Sequence, residues 1–357
     1  MYPALSIQQA LTDRLDAVLW VGGIGGMEEA LVTRQNIPFR SIPAAGVHGV
    51  GLKSLPGNIK KLLQGISASA KILREFKPDV LLFTGGYVAV PMALAGRRIP
   101  QMLYVPDIEP GMALKALSSF ASTIAVTAPD SKAFFSSKKN LVVTGYPTRA
   151  DLKKMDNTAA RKQLGLNDTL PVLLITGGSK GARLINQAIT AVLPELLAQF
   201  QVIHLSGESD WPEIQKNAAS LPVEIASRYH PFPYLHEDMA AAFSSADIVI
   251  SRAGASTLGE LPFYGIPAIL VPYPFAWRYQ KVNADYLVNK GAAIMIENSS
   301  LQADLIPSLQ KLIKDPQKMH SMRQNMSSLT QPDAAVRIAN EVLTLAGQSS
   351  IKRKVQA

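Results

Sequence analysis

The residues best suited to chemistry lie in Ser245–Ala284, SADIVISRAGASTLGELPFYGIPAILVPYPFAWRYQKVNA. Ile248-Val249-Ile250 is a short β-branched run, the size of a buried strand. Arg252-Ala253-Gly254-Ala255-Ser256-Thr257 follows as a loop of small residues, and Leu258-Gly259-Glu260-Leu261 opens a helical pattern. Strand, small loop and helix start together aim unpaired backbone N–H groups at an anion, and small side chains let a phosphate reach them. Glu260 falls about one helical turn after the loop, where a carboxylate can accept hydrogen bonds from a ribose diol while the helix start holds phosphates. The same turn also occurs as plain architecture in α/β proteins, and the same carboxylate as a solvated or helix-stabilising charge. On the residues alone these readings stay open. Gln280 and Asn283 follow as polar groups where another helix begins.

Two further glycine turns stand at strand ends. Pro171–Thr176 reads as a strand, followed by Gly177-Gly178-Ser179-Lys180-Gly181-Ala182-Arg183. The GxxxxGK[ST] spacing of a P-loop is absent, but the loop offers N–H groups and the Ser179 hydroxyl to a diphosphate. Asp79–Thr84 is a buried strand by composition, followed by Gly85-Gly86-Tyr87. Leu103–Val105 is another, followed by Pro106-Asp107-Ile108-Glu109-Pro110-Gly111. Asp107 and Glu109 would serve acid/base or hydroxyl-binding roles there, or stand as ordinary loop charges.

The elements that must position these loops alternate between strand and helix patterns, which implies parallel sheets with helices on both faces. Further strands are expected at Asp16–Gly22, Pro38–Ile42, Thr123–Thr127, Leu141–Thr144, Val202–Leu205, Val223–Ala226, Ala268–Pro272 and Ala292–Ile296. Helices are expected over Pro56–Phe76, Ala150–Gly165, Leu184–Gln199 with a kink at Pro194, and Asp333–Leu345, among others. The 357 residues suffice for two domains on the prior of about 150 residues each. The boundary falls near Thr144–Asp151, where the pattern restarts. This gives a first lobe over 1–148, a second over 149–335, a terminal helix over 336–348 and a basic, disordered tail over 349–357.

With no cysteine, disulfides and thiolate metal sites are excluded, and the five histidines show no HxxxH or HExxH spacing. No metal or other cofactor is expected. The net charge of +9 suits an anionic lipid or a phosphorylated substrate. No nucleic-acid-binding motif or basic–aromatic platform appears, so nucleic acid is not an expected partner. No signal peptide is visible, and the nearly uncharged run Val80–Gly96 is short and interrupted by Gly85-Gly86 and Pro91. Lys53, Lys60, Lys61, Lys71, Arg74 and Lys77 surround the helical pattern of Pro56–Phe76. They form either a solvated face or a basic face held near anionic lipid, with about 1 kcal/mol for each cation.

The segments TGGSKGARLIN (Thr176–Asn186), YLHEDMAAAFSSAD (Tyr234–Asp247), SRAGASTLGE (Ser251–Glu260), GIPAILVPYP (Gly265–Pro274) and YQKVNA (Tyr279–Ala284) resemble those of the MurG family, the peptidoglycan GlcNAc transferases of glycosyltransferase family 28. PDVLLFTGGYVAVP (Pro78–Pro91) and TGYPTR (Thr144–Arg149) are similar to segments of that family's first half. The resemblance implies a GT-B fold, two Rossmann-like α/β lobes with parallel sheets facing across a cleft. It also implies an inverting, metal-independent transfer of GlcNAc from UDP-GlcNAc to lipid I, giving lipid II, by a peripheral enzyme on the cytoplasmic face of the cell membrane. By resemblance Ser179 holds a phosphate oxygen, Arg149 lies by the nucleotide, and His236 offers its backbone amide to uracil. Ala255, Ser256, Thr257, Leu258, Gly259 and Glu260 wrap the α-phosphate and ribose, with Glu260 on the diol, and Tyr279 and Gln280 reach the sugar hydroxyls. Gly85, Gly86, Tyr87 and Tyr104 belong to the acceptor side.

Two departures from the family pattern stand out. The family opens with a strand and GGTGGH before a segment like Tyr2-Pro3-Ala4-Leu5, so the histidine of that loop, a candidate base, is missing here. The family's HEQN segment is replaced by Tyr104-Val105-Pro106-Asp107, with Asp107 at the asparagine position, which makes Asp107 the local candidate for the base. Either Met1 is a misread start or the chain is a divergent relative. A different glycolipid acceptor, or nucleotide-sugar binding without catalysis, remains as an alternative.

Overall fold

A computed structural model describes residues 1–26, 28–45, 55–167, 170–178, 181–274 and 279–356, with the side chains of 55 and 348–356 left aside. The chain forms two units, Met1–Thr148 with Asp333–Ala357, and Arg149–Pro332.

The first unit runs α1 (Tyr2–Leu11), β1 (Trp20–Gly23), α2 (Glu28–Thr33), β2 (Phe39–Ile42), α3 (Leu55–Phe76), β3 (Leu81–Phe83), α4 (Ala89–Ala95), β4 (Gln101–Val105), α5 (Met112–Leu117), β5 (Thr123–Val126) and β6 (Leu141–Val143). Strands β3-β4-β5-β6 pair in that order, all parallel, and β1 pairs in parallel with β2. Every residue of β4 and β5 is buried, as a parallel sheet covered on both faces requires.

The second unit runs α6 (Asn157–Gln163), β7 (Val172–Thr176), α7 (Arg183–Ala191), α8 (Leu193–Leu197), β8 (Gln201–Leu205), α9 (Trp211–Ala219), α10 (Val223–Ala226), β9 (Tyr229–Phe232), α11 (Met239–Ser245), β10 (Ile248–Ser251), α12 (Thr257–Tyr264), β11 (Ala268–Leu270), α13 (Tyr279–Asn289), β12 (Ala293–Met295), α14 (Leu301–Ile313) and α15 (Pro316–Ser328). Its parallel sheet has the order β12-β11-β10-β7-β8-β9. Ile185, Ala188 and Ile189 of α7 and Leu193, Leu196 and Leu197 of α8 bury against Leu173, Ile175, Val202, Ile248 and Ile250 on one sheet face. The helical stretch expected over Leu184–Gln199 divides before Pro194, which lies in the first turn of α8, where its missing N–H has no helical acceptor.

Helix α16 (Ala334–Gln356) belongs with the first unit. Ile338, Ala339, Val342 and Leu345 pack with Ile7 and Leu11 of α1 and with Met102, Tyr104 and Ala125 of the sheet. The helix continues through the stretch expected to be a disordered tail, of which Ala357 lies outside the described residues. No glycine or proline interrupts the sequence from Gln348 to Gln356, and propagating a formed helix costs far less than starting one.

Three other expectations are corrected. Val223–Ala226, read as a strand, is the short helix α10, and the edge strand is Tyr229–Phe232. Pro222 before the β-branched run starts a helical turn instead of a strand. Within Ala150–Gly165 the helix is confined to Asn157–Gln163, which begins where Asp156 accepts from the Ala159 amide at 3.0 Å. Tyr104, expected on the acceptor side, is fully buried in β4. Its hydroxyl lies 3.0 Å from Thr127 Oγ1 and 3.4 Å from the Gly145 carbonyl, and its ring is core.

A second buried polar residue interrupts a strand. His204 lies in β8, wholly buried, with Nδ1 2.8 Å from the Tyr229 hydroxyl and Nε2 3.0 Å from Asn186 Oδ1. Both ring nitrogens are satisfied, as burial of a polar group demands. Burial pushes its pKa down to about 4 against the opposing pull of Asp210. Between pH 6.5 and about 4 the unfolded chain therefore takes up a proton that the folded chain refuses, and stability falls as pH falls. We expect this group to remove up to about 3 kcal/mol of unfolding free energy across that window. Urea denaturation through the window checks it, with His204→Gln losing this part of the slope.

Candidate functional site

The order of the second sheet reverses between β7 and β10. From β7 the chain steps outward to β8 and β9, then returns to the other side of β7 as β10 and steps outward to β11 and β12. Ser251 and Thr176 are the last paired residues of the central strands, so the loops that follow part on opposite sides of one crevice at the carboxyl edge. Ligands of open α/β sheets bind at such a switch point.

After β10, the Thr257 and Leu258 amides donate to the carbonyls of Gly254 and Ala255, and those of Gly259 and Glu260 to Ser256. The amides of Gly254, Ala255 and Ser256 donate to nothing among the described residues. They sit at the positive end of α12, where an anion is stabilised by both the donors and the helix dipole. After β7, the Gly178 amide donates to Thr176 Oγ1 at 3.2 Å and the Gly181 amide to the Gly178 carbonyl at 2.9 Å, and α7 then starts. Ser179, expected to hold a phosphate oxygen, lies outside the described residues, as does Lys180.

Glu260, partly buried in the first turn of α12, joins a group of side chains brought from far apart in the sequence. Burial raises its carboxyl pKa above the ordinary value; a hydrogen bond to the Ser256 side chain and the charge of Arg149 oppose the rise, and Asp151 adds to it. Arg149 Nε and Nη2 lie 3.1 and 3.0 Å from the two oxygens of Asp151, and Nη1 donates to the Tyr234 hydroxyl at 3.1 Å. Burial works against the guanidinium charge, but Tyr234, Asp151 and Glu260 outweigh it and raise the Arg149 pKa. The Tyr234 ring meets that of His236 edge-on, with centroids 4.8 Å apart, and His236 is exposed. The Tyr264 hydroxyl is pushed up by burial and by the charges of Glu260 and Asp151. Asp151, Tyr234 and Tyr264 were not singled out from the sequence. The available signal was proximity, since Asp151 and Tyr234 each stand two residues from a named site residue.

Gln280 enters from α13. Its Oε1 accepts from the Tyr273 amide at 2.9 Å, which turns Nε2 away as a donor. Tyr279 precedes it at the helix start. Asn283, fully buried, donates through Nδ2 to the Ala253 carbonyl at 3.1 Å and so ties α13 to the loop after β10. Arg252 Nη1 donates to the Val271 carbonyl at 3.0 Å and to Asn298 Oδ1 at 2.9 Å, joining the ends of β10, β11 and β12. The second unit thus assembles anion-binding amides, a carboxylate suited to two hydroxyls, a neighbouring cation and an oriented amide.

In the first unit Gly85 and Gly86 follow β3 with φ of +122° and +87°, and Tyr87 beyond them is 62% exposed. Asp107, partly buried, follows the neighbouring strand β4. These residues share one sheet edge, and Tyr104, inside the core, does not join them.

Residues 172–338 match the glycosyltransferase family 28 C-terminal domain, and residues 1–126 match the N-terminal domain of the same family. The UDP-N-acetylglucosamine--N-acetylmuramyl-(pentapeptide) pyrophosphoryl-undecaprenol N-acetylglucosamine transferase of Roseiflexus sp. is 37% identical, over 92% of this chain and 84% of its own. The enzyme of that name from Desulforudis audaxviator is 36% identical over 98% and 96%. The crystal structure of Acinetobacter baumannii MurG matches with a TM-score of 0.75 at 26% identity, over 96% of this chain and 95% of that one. Two parallel-sheet units and these matches establish a GT-B fold, and the chain belongs to glycosyltransferase family 28, among its MurG-type N-acetylglucosaminyltransferases.

Proposed function

We propose that the chain transfers N-acetylglucosamine from UDP-N-acetylglucosamine to an N-acetylmuramoyl-pentapeptide carried on a polyprenyl diphosphate, the peptidoglycan step named for its relatives. The observation that carries this reading is the start of α12, where unpaired amides and the Glu260 carboxylate stand one turn apart at the sheet's switch point. A nucleotide carries a phosphate and a ribose diol in one molecule, so amides and a carboxylate side by side can take both. Arg149 lies by the nucleotide, Ser179 takes a phosphate oxygen, and the His236 backbone amide meets the uracil. Ala255–Glu260 hold the α-phosphate and ribose, and Tyr279 and Gln280 reach the sugar.

The acceptor hydroxyl attacks the anomeric carbon as the bond to the diphosphate oxygen breaks, and the configuration inverts. Charge growing on the departing UDP is met by amides already in place, which need no reorganisation. The hydroxyl's proton passes to a base, for which Asp107, beside Gly85, Gly86 and Tyr87 on the first sheet's edge, is the candidate. The departure at Tyr104 does not argue for another acceptor, because that side chain is core.

The acceptor's lipid calls for a membrane surface, and no helix among the described residues is long and apolar enough to cross one. Lys60, Lys61, Lys71 and Arg74 are exposed on α3 together with Ile59 and Leu63, a combination that suits peripheral attachment to anionic lipid. On this reading the enzyme works on the cytoplasmic side, where its nucleotide sugar is made.

We expect Glu260→Ala to weaken UDP binding at least about tenfold by calorimetry; unchanged affinity removes the ribose role. Diol binding uses the charged carboxylate, whose pKa burial raises, so UDP affinity falls on acidification from above the ordinary carboxylate range. Glu260→Gln should flatten that dependence. Asp107→Asn should lower kcat about a hundredfold or more with UDP affinity intact, and an unchanged kcat assigns the proton elsewhere. Sedimentation with anionic-lipid vesicles should capture the chain at low salt, less so at high salt or in a Lys60→Glu/Lys61→Glu variant. Indifference to both changes would exclude attachment through α3.

A further inference from the structure

The buried histidine of β8 takes no part in the donor site described above, yet its hydrogen bonds reach it. Asn186 Nδ2 donates to the Ser206 carbonyl and to Asp210 Oδ2, both at 2.8 Å. An amide whose nitrogen faces two oxygens must present its own oxygen to the imidazole. His204 Nε2 therefore carries the hydrogen and donates to Asn186 Oδ1, and Nδ1 accepts from the Tyr229 hydroxyl. At the other end Asp210 Oδ1 accepts from Arg183 Nε at 3.1 Å. Donation runs from Tyr229 through His204 and Asn186 to Asp210, which also accepts from Arg183 at the far end.

This chain ends on the phosphate-loop side of the switch point. Arg183 and Asn186 lie in the first turn of α7, and Ser206 and Asp210 lie in the turn that follows β8. Gly181, just before α7, is packed against that same turn. A Cβ there would stand 2.2 Å from the Ser206 carbonyl oxygen and 3.1 Å from Gly207 Cα, and its φ is +74°. The Ser206 carbonyl is thus gripped by Asn186 and touched by the loop's glycine. Side chains, not the sheet ladder, hold the start of α7 in place over the carboxyl ends of β7 and β8.

We infer that His204, acting through Asn186 and Asp210, is a positioning residue for the donor's diphosphate. It fixes the Asn186 amide, and so the first turn of α7 and the adjoining Gly181, where the amides of that turn meet phosphate oxygens. The inference rests on the proposed donor site. Outer hydrogen-bond partners of this kind commonly change ligand affinity by about ten- to a hundredfold, because a binding group displaced by a fraction of an ångström loses most of its hydrogen bond.

The full chain carrying His204→Leu tests it. Without a donor at Nε2 the buried Asn186 oxygen is left unpaired, and the amide is held from its nitrogen side alone. Calorimetry with UDP should show a Kd raised about tenfold or more. The KM for UDP-N-acetylglucosamine should rise by the same factor, with kcat at saturating donor within about twofold of wild type. His204→Gln places an amide donor near the Asn186 oxygen and should recover UDP affinity to within about threefold of wild type. A purely structural role predicts lower thermal stability in both variants with wild-type UDP affinity in the folded protein. Asp210→Asn, in the turn after β8, gives a second reading if His204→Leu does not fold, and its Kd for UDP should also rise about tenfold. Wild-type affinity in His204→Leu and Asp210→Asn overturns the inference, as does a His204→Gln as weak as His204→Leu. Wild-type protein that binds no UDP overturns the donor site itself and this inference with it; a binding wild type with unaffected variants overturns the positioning role alone.

Discussion

Everything at the candidate donor site depends on the parallel pairing of β7 with β10 at a point where the chain leaves in opposite directions. A strand pairing ends at Ser251 and Thr176, and both connections must then turn away from each other. The loop after β10 leaves the amides of Gly254, Ala255 and Ser256 as unpaired donors beside the gap, among the described residues. The small residues from Ala253 to Ser256 keep that gap open. The helix that follows adds its dipole to the same place, and its first turn is the nearest rigid position for a carboxylate. The unpaired amides and the carboxylate one turn on are thus two consequences of one topological fact.

The carboxylate brings a difficulty that the neighbouring residues answer. Burial disfavours the charge on Glu260, and a carboxyl group kept neutral is a poorer acceptor for two hydroxyls. Arg149 lowers the penalty, but its own charge is partly committed to Asp151, which pushes the Glu260 pKa back up. Glu260 is therefore held in its charged form less firmly than a carboxylate paired with Arg149 alone would be, and a ligand that brings hydrogen-bond donors to Glu260 and phosphates to the amides complements both ends. Tyr234 links the cation to the segment bearing His236. All of these residues come from Arg149–Pro332, one continuous unit of the chain.

Much of this was legible in the sequence because the informative signals were local. A β-branched run, a loop of small residues and a helix start lie within about a dozen positions, and their geometry follows from backbone rules alone. Glu260 was legible for the same reason. The Tyr229–His204–Asn186–Asp210–Arg183 chain was not, because its members lie on β8, β9, α7 and a turn, and their meeting depends on the strand order. Tyr104 was misplaced by aligned position, which locates a residue along a strand but not which face of the sheet its side chain occupies. In β4 that face is covered by α1 and α16, and α16 comes from the far end of the chain. Val223–Ala226 misled in the opposite way: a run of β-branched and apolar residues too short to fix its own conformation took its helical turn from Pro222 and the packing of Ile225.

The return of α16 also explains why the two halves of the sequence are not equivalent as folding units. The second unit is one continuous segment whose core contains its own strands and helices. The first is built from both ends of the chain, and Met102, Tyr104 and Ala125 are covered by Ile338, Ala339, Val342 and Leu345. Contacts so distant in sequence carry a loop-closure cost, and that cost falls once the intervening Arg149–Pro332 segment has folded and shortened the effective loop. Tyr104, whose hydroxyl bonds to Thr127 and Gly145, packs beneath this helix. Its burial therefore depends on a helix from the far end of the chain, which is why a residue one step from the sheet's carboxyl edge serves the fold.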